Sequence, residues 1–159
     1  MFILGLDPGI ARTGFGVVDA ATSSYVSCGC LTTPAGLSEP DRLEMLGSDL
    51  TALLERFRPE RAVVETVLFG NNAKTAMQTA EVRGVLCYVL RQHRVAVHSL
   101  TPLQIKSRLT GYGAAEKQQI QQVVQQRLSL DAVPQPDDAA DALAAALCWT
   151  AEPALAAMA

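Results

Sequence analysis

No stretch of the 159 residues stays apolar long enough to span a bilayer, and the opening Met1-Phe2-Ile3-Leu4-Gly5-Leu6-Asp7 has no basic leader before its first carboxylate. No membrane association and a mature cytosolic start are therefore expected. Cysteine is scarce: Cys28, Cys30, Cys87 and Cys148 are too few for a disulfide-stapled scaffold, and none has the Cys-x-x-Cys or Cys/His spacing that zinc uses. They read as reduced core thiols, although Cys28 and Cys30 would share one face of a strand and leave a soft-metal site conceivable. There is no internal repeat and no linker long enough to divide the chain. One domain over residues 1–159 is expected, with room for a flexible tail from about residue 153.

Basic charge is also short overall, with a net charge of -3 that by itself argues against a nucleic-acid partner. The distribution says otherwise. Between Asn71 and Leu128 stand Lys74, Arg83, Arg91, Arg94, Lys106, Arg108, Lys117 and Arg127 against only Glu81 and Glu116, a net +6 that leaves -9 for the rest. Such asymmetry gives one region able to approach phosphates, although solvated helix faces would also explain it.

What is present is enough for a core: 49% of residues are hydrophobic and only 18% charged. Three short strands are expected at Phe2 to Asp7, Gly14 to Asp19 and Ser24 to Leu31, divided by turn-type residues into an antiparallel meander. From Pro40 to Phe57 apolar residues recur at helical spacing until Pro59, and Arg61 to Glu65 reads as a short buried strand ending in an acid. A helix over Asn72 to Arg91, a strand over Val95 to Ser99, and a short helix capped by Thr101-Pro102 and closed by Gly111 follow. Two further helices are expected over Ala115 to Leu128 and Asp138 to Ala151, separated by a Pro134-Gln135-Pro136 turn. Strands first, then helices alternating with strands, give an α/β fold with a mixed sheet flanked by helices, whose ligand sites gather at the carboxyl ends of strands.

The acids fall at those ends. Asp7 ends the first strand before Pro8-Gly9, and Glu65 ends the Val63-Val64 strand; each is also compatible with an ordinary turn or strand terminus. Asp138 and Asp141, three apart at a helix start, share a face. Helix capping is the plain alternative, with Asp137 the best N-cap candidate, but three acids in five residues repel one another unless something positive sits among them. Together the four acids make an all-oxygen set suited to Mg²⁺ or Mn²⁺, and two such ions can activate water and stabilise the leaving oxygen in phosphodiester hydrolysis.

At this point the sequence resembles a known family. Gly5-Leu6-Asp7-Pro8-Gly9 with Thr13-Gly14-Phe15-Gly16-Val17, then Glu65-Thr66-Val67 before Asn72-Ala73, Arg83-Gly84-Val85, Gln104-Ile105-Lys106, Gly113-Ala114-Ala115-Glu116-Lys117 and Asp138-Ala139-Ala140-Asp141-Ala142-Leu143-Ala144 are similar, in order and spacing, to bacterial RuvC-type Holliday junction resolvases. The match runs roughly from Phe2 to Trp149. The resemblance implies a ribonuclease H-like mixed five-stranded sheet, a homodimer in the bacterial cytoplasm, and paired symmetric nicks in four-way junction DNA. It further implies cooperation with the RuvA and RuvB branch-migration proteins. Asp7, Glu65, Asp138 and Asp141 match the family's metal-binding acids, with two ions expected per site. Lys106 and Lys117 match basic residues for DNA binding or catalysis, and Arg83 lies in a matching helical motif. One departure is at Leu68: some members carry there an aromatic residue that stacks on an unpaired base, so either Phe69 takes over that contact or Phe69 points elsewhere and Leu68 acts as an apolar wedge.

Other readings are a nuclease acting on RNA–DNA hybrids and a non-catalytic junction-binding scaffold. An actin-like or sugar-kinase-like ATPase is disfavoured, because such proteins need a duplicated domain with a second phosphate loop and none is present.

Overall fold

The structure, a computed structural model, describes residues 1–67 and 73–150. In chain order these form β1 (Phe2–Asp7), β2 (Arg12–Asp19), β3 (Ser24–Thr32), α1 (Glu39–Phe57), β4 (Arg61–Glu65), α2 (Ala73–Gln92), β5 (Ala96–Leu100), α3 (Pro102–Thr110), α4 (Lys117–Arg127) and α5 (Asp137–Thr150). The expected order of elements holds. No helix among the described residues is long and apolar enough to cross a membrane.

The strands make one five-stranded sheet in the order β3-β2-β1-β4-β5. The meander β1–β2–β3 is antiparallel, while β4 pairs parallel to β1 and β5 parallel to β4. The mixed sheet is thus the expected one, and the parallel half explains why β4 reads as an unbroken apolar run: Ala62, Val63 and Val64 are fully buried between two layers of helices.

Alternation along each strand divides the side chains between two faces. On one face Leu4, Leu6, Val17, Ala62 and Val64 pack with Leu46, Leu50, Leu53 and Leu54 of α1 and with Val82, Leu86 and Leu90 of α2. Helix α1 begins on a Ser38 cap that accepts from the Asp41 N–H, and ends at Arg58, whose left-handed φ of 47° lets its N–H reach the Leu54 carbonyl. The other face, bearing Ile3, Val18, Val63 and Leu100, is covered by Ile105 and Leu109 of α3, Ile120 and Val124 of α4, and Leu143 and Leu147 of α5.

Helix α5 lies directly on the sheet. A Cβ added at Gly5 would fall 1.9 Å from the Ala142 carbonyl oxygen, one at Gly14 2.0 Å from that of Asp138, and one at Gly16 2.6 Å from the Leu143 nitrogen. On the helix side Ala139, Ala140, Ala142, Ala144, Ala145 and Ala146 are buried. Glycine below and alanine above therefore allow backbone to approach backbone. Cys28 and Cys30 stand opposite Gly16 and Gly14 across the β2–β3 ladder, both as free thiols.

Sequence reasoning about two ends needs correction. Strand β2 starts at Arg12 rather than Gly14, because Arg12 and Thr13 already pair with Thr32 and Leu31. Asp137 is the first residue of α5 rather than its N-cap, and its carboxylate is turned to Lys117 and Gln121.

Candidate active site

β1 and β4 run parallel with Leu6 level with Val64, so Asp7 and Glu65 leave the same end of adjacent strands. Ile3 and Val63 belong to the α5-side core, and the two-residue period puts Asp7 and Glu65 on that same face. Asp7 pairs across the ladder with Gly14, on which the Asp138 backbone rests. The glycine contact thereby brings the first turn of α5 down onto the strand ends that carry the other two acids.

The electrostatics follow from this crowding. Burial first, then the negative charges of Asp141 and Asp138, pushes the Asp7 carboxyl up to about 7, with Lys117 opposing. Burial first, then Asp7 and Asp141, pushes Glu65 up to about 8, against the pull of Lys106 and Lys117. Asp141 is also raised, its burial outweighing the hydrogen bond and charge of Lys117. For Lys117 burial alone would favour the neutral amine, but hydrogen bonds and charges from Asp141 and Asp137 prevail and hold its pKa above the ordinary lysine value.

Cations sit among the helix aspartates. Lys117 Nζ lies 3.1 Å from Asp141 Oδ2 and 3.2 Å from Asp137 Oδ2, and Arg12 Nε lies 3.0 Å from Asp138 Oδ2. The Gln121 amide donates to Asp137 Oδ1 at 3.1 Å. Among the described residues no three acid, imidazole or thiol groups already close on a single point as a metal cage does. Beside the acids opens a cleft of about 160 Å³ whose walls include Glu65, Asp141, Lys106, Lys117, Ile105 and Ile120. Acids and lysines thus line one space together, with Lys117 bonded directly to Asp141.

The family model described as crossover junction endodeoxyribonuclease RuvC matches residues 3–149. The chain belongs to the RuvC family. A crossover junction endodeoxyribonuclease RuvC from Roseiflexus sp. (strain RS-1) is 45% identical over 149 residues, covering 92% of this chain and 89% of the relative. The RuvC of Natranaerobius thermophilus is 43% identical over 150 residues, covering 93% of each. Among solved structures, T. thermophilus RuvC in complex with Holliday junction substrate superposes with a TM-score of 0.87 at 30% identity, covering 93% of this chain and 92% of that one. The yeast mitochondrial Holliday junction resolvase Ydc2 shares the fold, with a TM-score of 0.66 at 15% identity, 94% of this chain and 78% of that one.

The ribonuclease H-like architecture and the endonuclease class expected from the resemblance therefore stand. Within this RuvC-family chain the structure brings together Asp7, Glu65, Asp138, Asp141, Lys106 and Lys117. Arg83 is elsewhere: its guanidinium donates to Ser99 Oγ at 2.6 Å and lines a separate cavity of about 250 Å³ with Thr66, Val67 and Ala80. Leu68 and Phe69, the two candidates for the junction contact, lie outside the described residues, as does the tail from residue 153. One site residue escaped sequence reasoning. Arg12 reaches Asp138 from the far end of the chain, and the available signal was its position as the first basic residue after the Asp7-Pro8-Gly9 turn.

Proposed function

We propose that this chain resolves four-way DNA junctions by metal-dependent phosphodiester hydrolysis. In this reading Asp7, Glu65, Asp138 and Asp141 hold the metal, and Lys106 and Lys117 meet the DNA phosphates. The observation that carries it is the convergence of two strand-end acids with the first turn of α5 beside a cleft edged by two lysines. Membership of the RuvC family supplies the substrate class.

The donor set fits a hard divalent cation: every candidate ligand is a carboxylate oxygen, and two of them are so crowded by like charge and burial that their acid forms persist near neutrality. We assign Mg²⁺ or Mn²⁺, two per site, on this chemistry. Bound there, such ions would supply Lewis-acid activation of water and stabilisation of the leaving oxygen. The chain's own residues do the rest. Lys117, held at the cleft by Asp137 and Asp141, presents an ammonium where charge develops on a phosphate. Lys106, which lines the same cleft as Glu65, steers the backbone into place. Ile105 and Ile120 give the cleft an apolar side that limits water. Symmetric nicking requires two such sites, so the working unit is a homodimer in the bacterial cytoplasm, acting with RuvA and RuvB.

The test is cleavage of a labelled synthetic four-way junction by the wild type and Asp7→Asn, with Mg²⁺, Mn²⁺ or chelator, beside a linear duplex and an RNA–DNA hybrid. Paired, metal-dependent nicks confined to the junction are expected. Asp7→Asn should bind the junction yet cut it at least roughly 10²-fold more slowly, since removing a metal ligand costs more than the roughly 10–100-fold typical of disturbing a ligand's outer-shell partner. Binding without cutting in either metal would make the chain a scaffold, and preference for the hybrid would make it a ribonuclease.

A further inference from the structure

Arg12 stands on an unusually well-fixed piece of chain. The Thr13 hydroxyl donates to the Gly9 carbonyl at 2.9 Å and accepts from the Gly9 N–H at 3.4 Å, and Thr13 is fully buried. A Cβ at Gly9 would lie 2.4 Å from the Arg12 carbonyl oxygen, so the turn closes only around glycine. Just past the end of β3, the Thr33 N–H donates to the Ala11 carbonyl at 3.1 Å and its hydroxyl donates to that of Ile10, while Arg42 Nε donates to the same hydroxyl at 2.8 Å. The backbone under Arg12 is therefore set by the sheet.

Its side chain is not set in the same way. The Arg12 side chain is 57% exposed and reaches Asp138 Oδ2 with its Nε at 3.0 Å. That oxygen is shielded from water yet receives no aligned hydrogen bond, so the pairing is one of charge more than of geometry. Lys117 differs, since it makes a formed hydrogen bond to Asp141. A guanidinium against a carboxylate oxygen and a divalent cation on that same carboxylate repel each other, so Asp138 cannot serve both well. The guanidinium has five N–H donors matched to phosphate as well as to carboxylate, and it projects from a rigid mount beside the acids where a strand to be cut must lie.

We propose that Arg12 is a positioning residue that links DNA binding to metal binding: it holds Asp138 in the absence of DNA, and passes to a backbone phosphate when a junction is bound, leaving Asp138 to the cation. This rests on the reading of the four acids as a metal site. Two consequences follow, neither needing turnover. Without DNA, Arg12→Gln removes a competitor and binds Mn²⁺ more tightly, by about three- to fivefold if the partly exposed pair has the usual strength. In chelator, junction binding by Arg12→Gln loses one phosphate contact, and its log affinity falls less steeply with log salt by about one.

The experiment is calorimetric titration of Mn²⁺ into wild type, Arg12→Gln and Arg12→Lys without DNA, beside junction binding over a salt series in chelator. Tighter Mn²⁺ binding and a shallower salt slope in Arg12→Gln, both returned towards wild type by Arg12→Lys, are expected. Equal or weaker Mn²⁺ binding by Arg12→Gln overturns the competition, and an unchanged salt slope overturns the transfer to phosphate. A wild type that takes up no Mn²⁺ sinks the metal site itself, and is distinguishable because it fails before any variant is compared.

Discussion

On the sheet face covered by α1 and α2, leucine and valine side chains fill the space between layers; on the face under α5, glycines and alanines let backbone meet backbone. The first construction is thick and gains free energy from area, at about 1.5–3 kcal/mol for each large apolar side chain taken from water. The second is thin and contributes less per residue, but fixes where the Asp138 and Asp141 turn sits relative to Asp7 to within a van der Waals contact. Both faces bury large apolar side chains, but only the one under α5 also has the glycine–alanine contact that sets position, and the acids are all on that face.

The comparison breaks most visibly at Leu50, fully buried between α1 and the sheet. Leu50→Ala should cost about 2–5 kcal/mol and lower the melting temperature by about 5–15 °C, while junction cleavage per folded molecule is unchanged at a temperature where the variant remains folded. Calorimetry and single-turnover cleavage measure the two halves, and a comparable loss of rate would show that the faces are not separable.

Gly14→Ala is the converse. Its new methyl meets the Asp138 carbonyl at 2.0 Å, so α5 must shift where it carries acids. Cleavage per folded molecule should fall about 10–100-fold, as when the supports of metal ligands are moved, at a temperature where the variant remains folded. Wild-type rates from Gly14→Ala would show that the close approach does not set the site.

A pH series sharpens the contrast with a smaller effect. Asp7 and Glu65 have folded values of about 7 and 8 against ordinary values of 3.8 and 4.5, so across that window the folded protein holds protons that the unfolded chain has released. The metal-free fold therefore loses stability as pH rises through roughly 4 to 8. A divalent cation that takes the ionised carboxylates offsets this, so Mn²⁺ should raise the melting temperature by several degrees more at pH 8.5 than at pH 6. Equal increments at both values would mean that the cation does not bind at these acids.

Much of this was legible because it is periodic or local. Strand alternation, helical spacing from Leu43 to Phe57 and the Thr101-Pro102 start each express a rule that operates within a few residues; Thr101 indeed caps α3 in a reciprocal box with Gln104. The acids were legible because strand ends on a parallel pair share an edge. The repulsion among Asp137, Asp138 and Asp141 asked for positive charge, and a cation was the natural answer from sequence; the structure supplies Arg12 and Lys117 there. Those pairs join residues far apart in the chain, and no local pattern reports them. Asp137 illustrates the same limit: its type suits an N-cap, but Lys117 and Gln121 claim its carboxylate from a different helix.

The link from β1 to β2, closed by Thr13 on Gly9 and pinned by Thr33 and Arg42, has a thermodynamic consequence of its own. A loop ordered by its ligand subtracts that ordering from the affinity it gains. Here the entropy is surrendered once, during folding, and charged to the whole domain. What remains at each encounter is to move a single arginine side chain from Asp138 to its new partner, with no backbone left to order.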